Sequence, residues 1–210
     1  MPLACTNIVH DASDLFISVI RNEQTDSGKD RFAAKVGKML GLKNGANTLV
    51  DYQPAWPVEF ERERSRLASS LHGIALGIEH YGSTAVPGMR AKPILDILVG
   101  VAPIENWRLC HDPLLELGYD YAENAGVTGH YIFGRGRDAT ERTHLVHVVE
   151  YRGASWSGNL AFRDALRKDA SLRRAYVDEK ERAAAAAPLG RGRYNELKAA
   201  FIATTKTQLG

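Results

Sequence analysis

The chain has 210 residues, 44% hydrophobic and 25% charged, an ordinary globular composition long enough to bury a core without a metal or disulfide staple. Its formal charge of +2, from 27 basic and 25 acidic side chains, gives no whole-molecule field for nucleic acid or an anionic membrane, so an anionic ligand needs a local cluster of basic groups. No stretch approaches the roughly 20 apolar residues that span a bilayer and no basic-then-apolar leader opens the chain, so a cytoplasmic protein is expected, with Cys5 and Cys110 as free thiols.

Residues 1–48 read as an N-terminal helical extension. A short helix runs from an Asp11 N-cap through Ile20, a polar stretch follows, and a second helical run spans Arg31 to Leu42 before the Lys43-Asn44-Gly45 turn signal. The body is assigned to residues 49–210. After the Pro54-Ala55-Trp56-Pro57 turn, a charged helix is expected from Val58 to about Leu71, with Phe60, Leu67 and Leu71 on one apolar stripe. Ile74 to His80 reads as a strand, Tyr81 to Gly88 as a loop, and Ile94 to Val101 as an apolar strand carrying one charge, Asp96. A helix is expected over Ile104–Leu117, then short strands at Tyr119–Tyr121 and Tyr131–Phe133, and a good strand at Thr143–Tyr151. From Asn159 the pattern is helical through Leu160, Phe162, Leu166, Leu172, Tyr176 and Val177. Leu189-Gly190-Arg191-Gly192 breaks it, and Tyr194–Thr205 reads as the last helix.

An aspartate flanked by Ile94, Leu95, Ile97 and Leu98 loses much hydration unless a cation or hydrogen bonds replace it. Asp96 therefore turns outward, pairs with Lys92 or an arginine, or serves as a divalent-metal ligand at the working edge of a sheet. The Gly82-Ser83 step after a strand fits the last reading. Glycine lets the backbone approach a ligand, successive N–H groups cradle a phosphate, and serine adds a donor. Two acids spaced by one residue would share a strand face and make a two-metal clamp, but the second position here is Leu98.

His80 precedes the Gly-Ser turn, and His144 and His147, three apart on a strand, face opposite sides. His147 can share a face with Asp96 as a substrate donor or general base, or it is a hydrogen-bonded structural histidine. Lys92 meets a phosphate or is simply solvated. Arg163 and Arg167 lie on one helix face and Lys198 on the terminal helix; arginine forks suit phosphate, although Asp164 can engage one of them. Arg135-Gly136-Arg137 and Arg191-Gly192-Arg193 read as loop charges, too short and too poor in aromatics for RNA binding.

At these residues the chain resembles the GrpB family, placed in the nucleotidyltransferase superfamily, whose pattern is Gly-Ser followed by an acid-apolar-acid strand. The similar blocks are Asp51–Pro57 with Phe60 and Glu61, Ile78–Gly88 with Ala91–Ile97, Arg142–His144 and His147–Glu150, Asn159–Arg167, and Tyr176, Lys180, Tyr194, Lys198 with Phe201-Ile202. They cover about residues 49 to 203. Leu145 stands where the family commonly has a histidine, and leucine at position 98 is a family feature. The resemblance implies an α/β (α+β) fold, a nucleotidyltransferase-like mixed β-sheet flanked by helices. It also implies a metal-dependent nucleotide site: Asp96, His147 and Glu150 catalytic, Asp96 and Glu150 holding Mg²⁺, and His80, Gly82, Ser83, Lys92, Arg163 and Lys198 binding substrate or phosphate. The implied activity transfers a nucleotidyl group from an NTP to a small-molecule or protein acceptor, without nucleic acid or membrane partners; a homodimer is left open. Two alternatives stand beside it. One is a module that binds a nucleotide or anionic metabolite without transfer, favoured by Leu98. The other is a metal-independent enzyme of specialised metabolism that uses His147 and Arg163.

Overall fold

The computed structural model describes residues 40–123, 127–138 and 140–209. The first expected helix and most of the second lie outside the described residues. Where the second would end, Gly41 has a φ of +128° and Leu42–Lys43 form a short strand, β1. Leu40 packs into the main core, so residues 40–48, assigned from sequence to the extension, are in part built into the body.

Helix α1 spans Ala55–Ser70, three residues earlier than expected, because Pro57 sits in the first turn, where its missing N–H leaves no intrahelical bond unmade. Its buried stripe is Ala55, Trp56, Phe60, Glu63 and Leu67. Strands β2 (Gly77–Tyr81) and β3 (Leu95–Val101) follow, joined through a 3-10 turn at Ser83–Ala85. The single helix expected over 104–117 is a 3-10 segment, Ile104–Cys110, and a short α2, His111–Glu116. Pro113 cannot donate to the preceding turn, so the α-helix starts afresh just before it. Then come β4 (Asp120–Tyr121), β5 (Tyr131–Arg135), β6 (Glu141–Arg142) and β7 (His144–Glu150).

Three helices close the chain: α3 (Ala154–Lys168), α4 (Ala170–Ala186) and α5 (Arg191–Leu209). The apolar pattern runs on between α3 and α4, but Asp169 divides them. Its carboxylate accepts from the N–H groups of Ser171 and Leu172, at 2.7 and 3.0 Å, and so caps a new helix.

The main sheet has the order β2-β3-β7-β5-β4, with β3 and β7 parallel and the other pairs antiparallel, so it is mixed. β1 pairs with β6 in a separate ribbon. On one face Leu95, Ile97, Val99 and Val101 of β3 and Val146 and Val148 of β7 bury against α1 and α2 in the main core. The other face is divided. At one end Leu98 and Val149 lie under Trp156 of α3. At the other, Asp96 and Leu145 face a hollow roofed by α3, α4 and α5.

Candidate functional site

Strand alternation aims the site. Tyr81, Asp96 and Leu145 lie side by side in one row of the sheet, and Glu79, Leu98 and His147 in a neighbouring row two residues along, all on the face away from α1. Of these, Tyr81, Asp96, Leu145 and His147 line a cavity of about 1140 Å³ shared with α3, α4 and α5. Gly82 turns the chain at the mouth of β2, so close to the Asp96 carboxylate that a Cβ there would collide with it.

The cavity is cationic around that one acid. Lys180 of α4 is 1% exposed; its Nζ donates to Ser83 Oγ at 3.2 Å and to the Arg90 carbonyl. Lys92 Nζ donates to Asn47 Oδ1 at 3.1 Å and lies 4.2 Å from the centre of the Tyr194 ring, while Lys198 Nζ lies 4.5 Å from the same ring. One aromatic ring thus holds two ammonium groups, which it can do because its face is negative. Arg191 opens α5, an end where the helix dipole disfavours a cation, so its placement serves the cavity rather than the helix. Burial pushes Lys92 and Lys180 down to about 7 and Lys198 to about 8, with neighbouring cations adding to it. Burial raises the Asp96 carboxyl, and Lys198, Lys92 and Arg191 pull it back.

His147 closes the floor. Its Nδ1 is 3.1 Å from His130 Nδ1, and its Nε2, buried and without a hydrogen-bond partner, faces Asp96 Oδ1 at 4.0 Å. Burial first, and then His130 and Arg191, lower His147 to about 3, so the ring is neutral at physiological pH.

Of the residues expected from sequence, Gly82, Ser83, Lys92, Asp96, His147, Arg163 and Lys198 line this one cavity. Two do not. His80 alternates to the other face, stacks on Phe60 with ring centres 4.7 Å apart and hydrogen-bonds Thr84 Oγ1 at 3.0 Å; it is a core histidine. Glu150 pairs with Val101, five residues along the strands from the row of Asp96, about 16 Å away, and it points to the opposite face. Its three-residue spacing from His147 carries the same parity that separates His144 from His147. Glu150 and Asp96 therefore cannot share a metal ion.

Arg163 is already committed. Its guanidinium donates to Glu79 Oε2 and the His80 carbonyl at 2.8 Å each, and to both Asp164 oxygens at 2.8 and 3.2 Å, so it braces α3 against β2 more than it offers a free fork. Arg135, expected as a loop charge, ends β5 and pairs with buried Glu63 at 2.7 Å. Arg191 also proves to be a cavity residue, as do Lys180, Tyr176 and Tyr194. Helical spacing held the signal for the last three, since Tyr176 and Lys180, like Tyr194 and Lys198, are four apart and share a helix face.

Asp96 is the one carboxylate on the cavity floor, and Lys92, Lys198 and Arg191 act on it, a setting that repels a dication. Among the described residues no three His, Cys, Asp or Glu side chains stand together to hold a metal ion. The residues present thus do not make a protein-held Mg²⁺ site. Among the described residues no helix is long and apolar enough to cross a membrane.

Comparison with known proteins gives a consistent picture. A family model described as "GrpB protein" matches residues 47–208. The chain is 32% identical over 167 residues to the glutamate-rich protein GrpB of Alkalihalophilus pseudofirmus, covering 78% of this chain and 96% of that one. It is 38% identical to a UPF0157 protein of Pseudomonas aeruginosa, over 71% of this chain and 62% of that one, so it spans less than two thirds of that relative's length. The crystal structure of conserved protein GrpB from Enterococcus faecalis superposes with a TM-score of 0.68 at 34% identity, covering 77% of this chain and 96% of that chain. With a family model over most of its length and a relative of that family matched over 96% of its own, the chain belongs to the GrpB family.

Proposed function

We propose that the protein binds a nucleoside triphosphate in this cavity and transfers its nucleotidyl group to a small acceptor. The observation that carries the reading is the convergence of Lys92, Lys180, Lys198 and Arg191, with the Ser83 hydroxyl, on the part of the cavity around Asp96. A chain with a net charge of only +2 has no general surplus of cations, so gathering four beside one acid is specific to this place. Polyphosphate is the ligand class that such a set neutralises.

The chemistry asks little more of the protein. An acceptor oxygen attacks the α-phosphorus, the bond from that phosphorus to the bridging oxygen breaks, and pyrophosphate leaves onto the lysines. The acceptor's proton passes to Asp96, whose raised pKa suits it to receive one. Positioning and charge neutralisation supply most of the rate in such in-line displacements. A divalent ion, where one takes part, arrives on the nucleotide's own phosphates.

Calorimetry with ATP, GTP, CTP and UTP, with and without Mg²⁺, tests the binding step, and pyrophosphate release over a panel of acceptors tests transfer. Binding that Lys198→Met weakens tenfold or more is expected; failure of all four nucleotides to bind at millimolar concentration would overturn the reading. The placement of Glu150 on the far face favours a second reading, a nucleotide-binding module without transfer. Tight binding with no pyrophosphate released from any acceptor selects it.

A further inference from the structure

The cavity has a second polar end that a nucleotide's phosphates do not use. On α5, Lys206 follows Lys198 by eight residues, a rise of about 12 Å, and there it meets Asn159 of α3 and acts on His130 before β5. Lys206 Nζ donates to Asn159 Oδ1 at 2.9 Å, and an ammonium keeps two further N–H donors after making one such bond. Asn159 is itself oriented by donating to the Ser155 carbonyl at 2.7 Å. Besides Asp96, the described lining holds one other acidic residue, Glu123, which is exposed.

Between the two ends lies the gap from His147 Nε2 to Asp96 Oδ1. At 4.0 Å it is too wide for a direct hydrogen bond. It suits one inserted oxygen, because two hydrogen bonds of about 2.8 Å meeting at an open angle span about 4 to 4.5 Å. His147 Nε2 is a buried nitrogen without a partner, so something polar is missing there. Its proton is set by its neighbours: one proton lies between the two Nδ1 atoms of His130 and His147, and the Asp96 carboxylate draws the other to His147 Nε2. The gap then offers a donor on one side and an acceptor on the other, which a hydroxyl matches with its own lone pair and O–H.

We propose that this end is the acceptor subsite and that it takes a small alcohol bearing an anionic group, the hydroxyl seated between Asp96 and His147 and the anion held by Lys206 and Asn159. The anion is a carboxylate or a phosphate, so the acceptor is a hydroxy acid or a phosphorylated polyol. The assignment rests on reading the other end as the nucleotide's, and it places His130 as a positioning residue that sets the tautomer of His147.

The test is calorimetry on the full chain with sn-glycerol 3-phosphate and 3-hydroxybutyrate, against glycerol and butyrate, which lack the anion and the hydroxyl respectively, and with ATP titrated separately. One or both hydroxy anions are expected to bind at least tenfold tighter than the matching control, and which of them does so identifies the anion. Lys206→Met and His147→Phe should each weaken that binding tenfold or more and leave ATP affinity within about twofold. Lys198→Met should do the reverse. ¹⁵N NMR of labelled histidine should find His147 protonated on Nε2 and should shift that signal when the hydroxy anion is added, a readout available even where His147→Phe does not fold. Hydroxy anions no tighter than their controls, or unaffected by Lys206→Met, overturn the subsite whatever ATP does. Loss of the ATP arm alone, with the hydroxy anion still bound through Lys206, overturns the nucleotide assignment and keeps the subsite.

Discussion

Gly82 adopts φ 70° and ψ −169°, a conformation open essentially only to glycine, and a methyl group there would overlap the Asp96 carboxylate. The turn and the acid are therefore one unit, and neither can shift alone. Gly82→Ala is expected to cost about 1–3 kcal/mol of stability and to weaken nucleotide binding, because relief comes only by moving Ser83 or Asp96. Urea unfolding beside calorimetry checks both; a variant unchanged in each would show the turn and the acid to be independent. The lysines carry a pH signature with two opposite slopes. Folded Lys92 and Lys180 titrate near 7 and Lys198 near 8, while unfolded lysine titrates near about 10.4. Between those values the unfolded chain binds more protons, so the stability of the unliganded protein, as far as these groups govern it, rises from about pH 7 to about pH 10. Affinity for a polyanion runs the other way, greatest below about pH 7 and falling as the lysines discharge through about pH 8. Unfolding and ATP binding measured at both ends of that window should show slopes of opposite sign, and Lys198→Met should flatten each.

Strand β3 explains its own missing acid. Leu98 is fully buried and packs with Val149 under Trp156 of α3, where no solvent and no cation reaches it. The position that would complete an acid-apolar-acid pair is thus part of a small apolar core, and the open half of the face begins only at Asp96. Leu98→Asp is expected to destabilise by about 3–5 kcal/mol, the scale of an uncompensated buried charge, and to create no Mg²⁺ site. Thermal unfolding and Mg²⁺ calorimetry test this. A stable variant that binds Mg²⁺ would mean that the apolar lid yields and that the family pattern is latent here. Helices α4 and α5 contribute in a different way: each supplies a tyrosine and a lysine four residues apart, so a single face of each delivers both an aromatic wall and a charge.

At the scale of the molecule, Met39–Gly210 form one compact unit, which holds the described core, the cavity, the sheet and α1 to α5. A chain starting at Met39 should unfold cooperatively and bind ATP as the full chain does, within about twofold; loss of either would give residues 1–38 a part in folding or binding. With a net charge of only +2, the field that meets an anion is local, so added salt should weaken ATP binding through the cavity lysines and not through long-range steering. Most of the elements were legible in the chain, since a Gly-Ser turn, a β-branched strand and helical apolar spacing are all local signals. Errors fell at particular residues. Pro57 lies inside the first turn of α1 instead of in a turn before it, Pro113 divides the 104–117 run, and Asp169 caps a helix where the apolar pattern alone continues.

By itself the sequence determined most of the strands and helices, the Gly82-Ser83 turn and the presence of one acid in an apolar strand, because each depends on neighbours a few positions away. Strand parity also told His144 from His147, and it holds equally against Glu150. What only the tertiary structure decided is which distant residues meet that acid. Parallel pairing of β3 with β7 sets His147 beside Asp96 and carries Glu150 to the far end and the other face. The packing of α4 and α5 over the open half of the sheet brings Lys180, Arg191 and Lys198 from about 85 to 100 residues away in the chain. Those meetings follow from the burial of apolar faces across the whole fold, a global requirement that no short window of sequence contains.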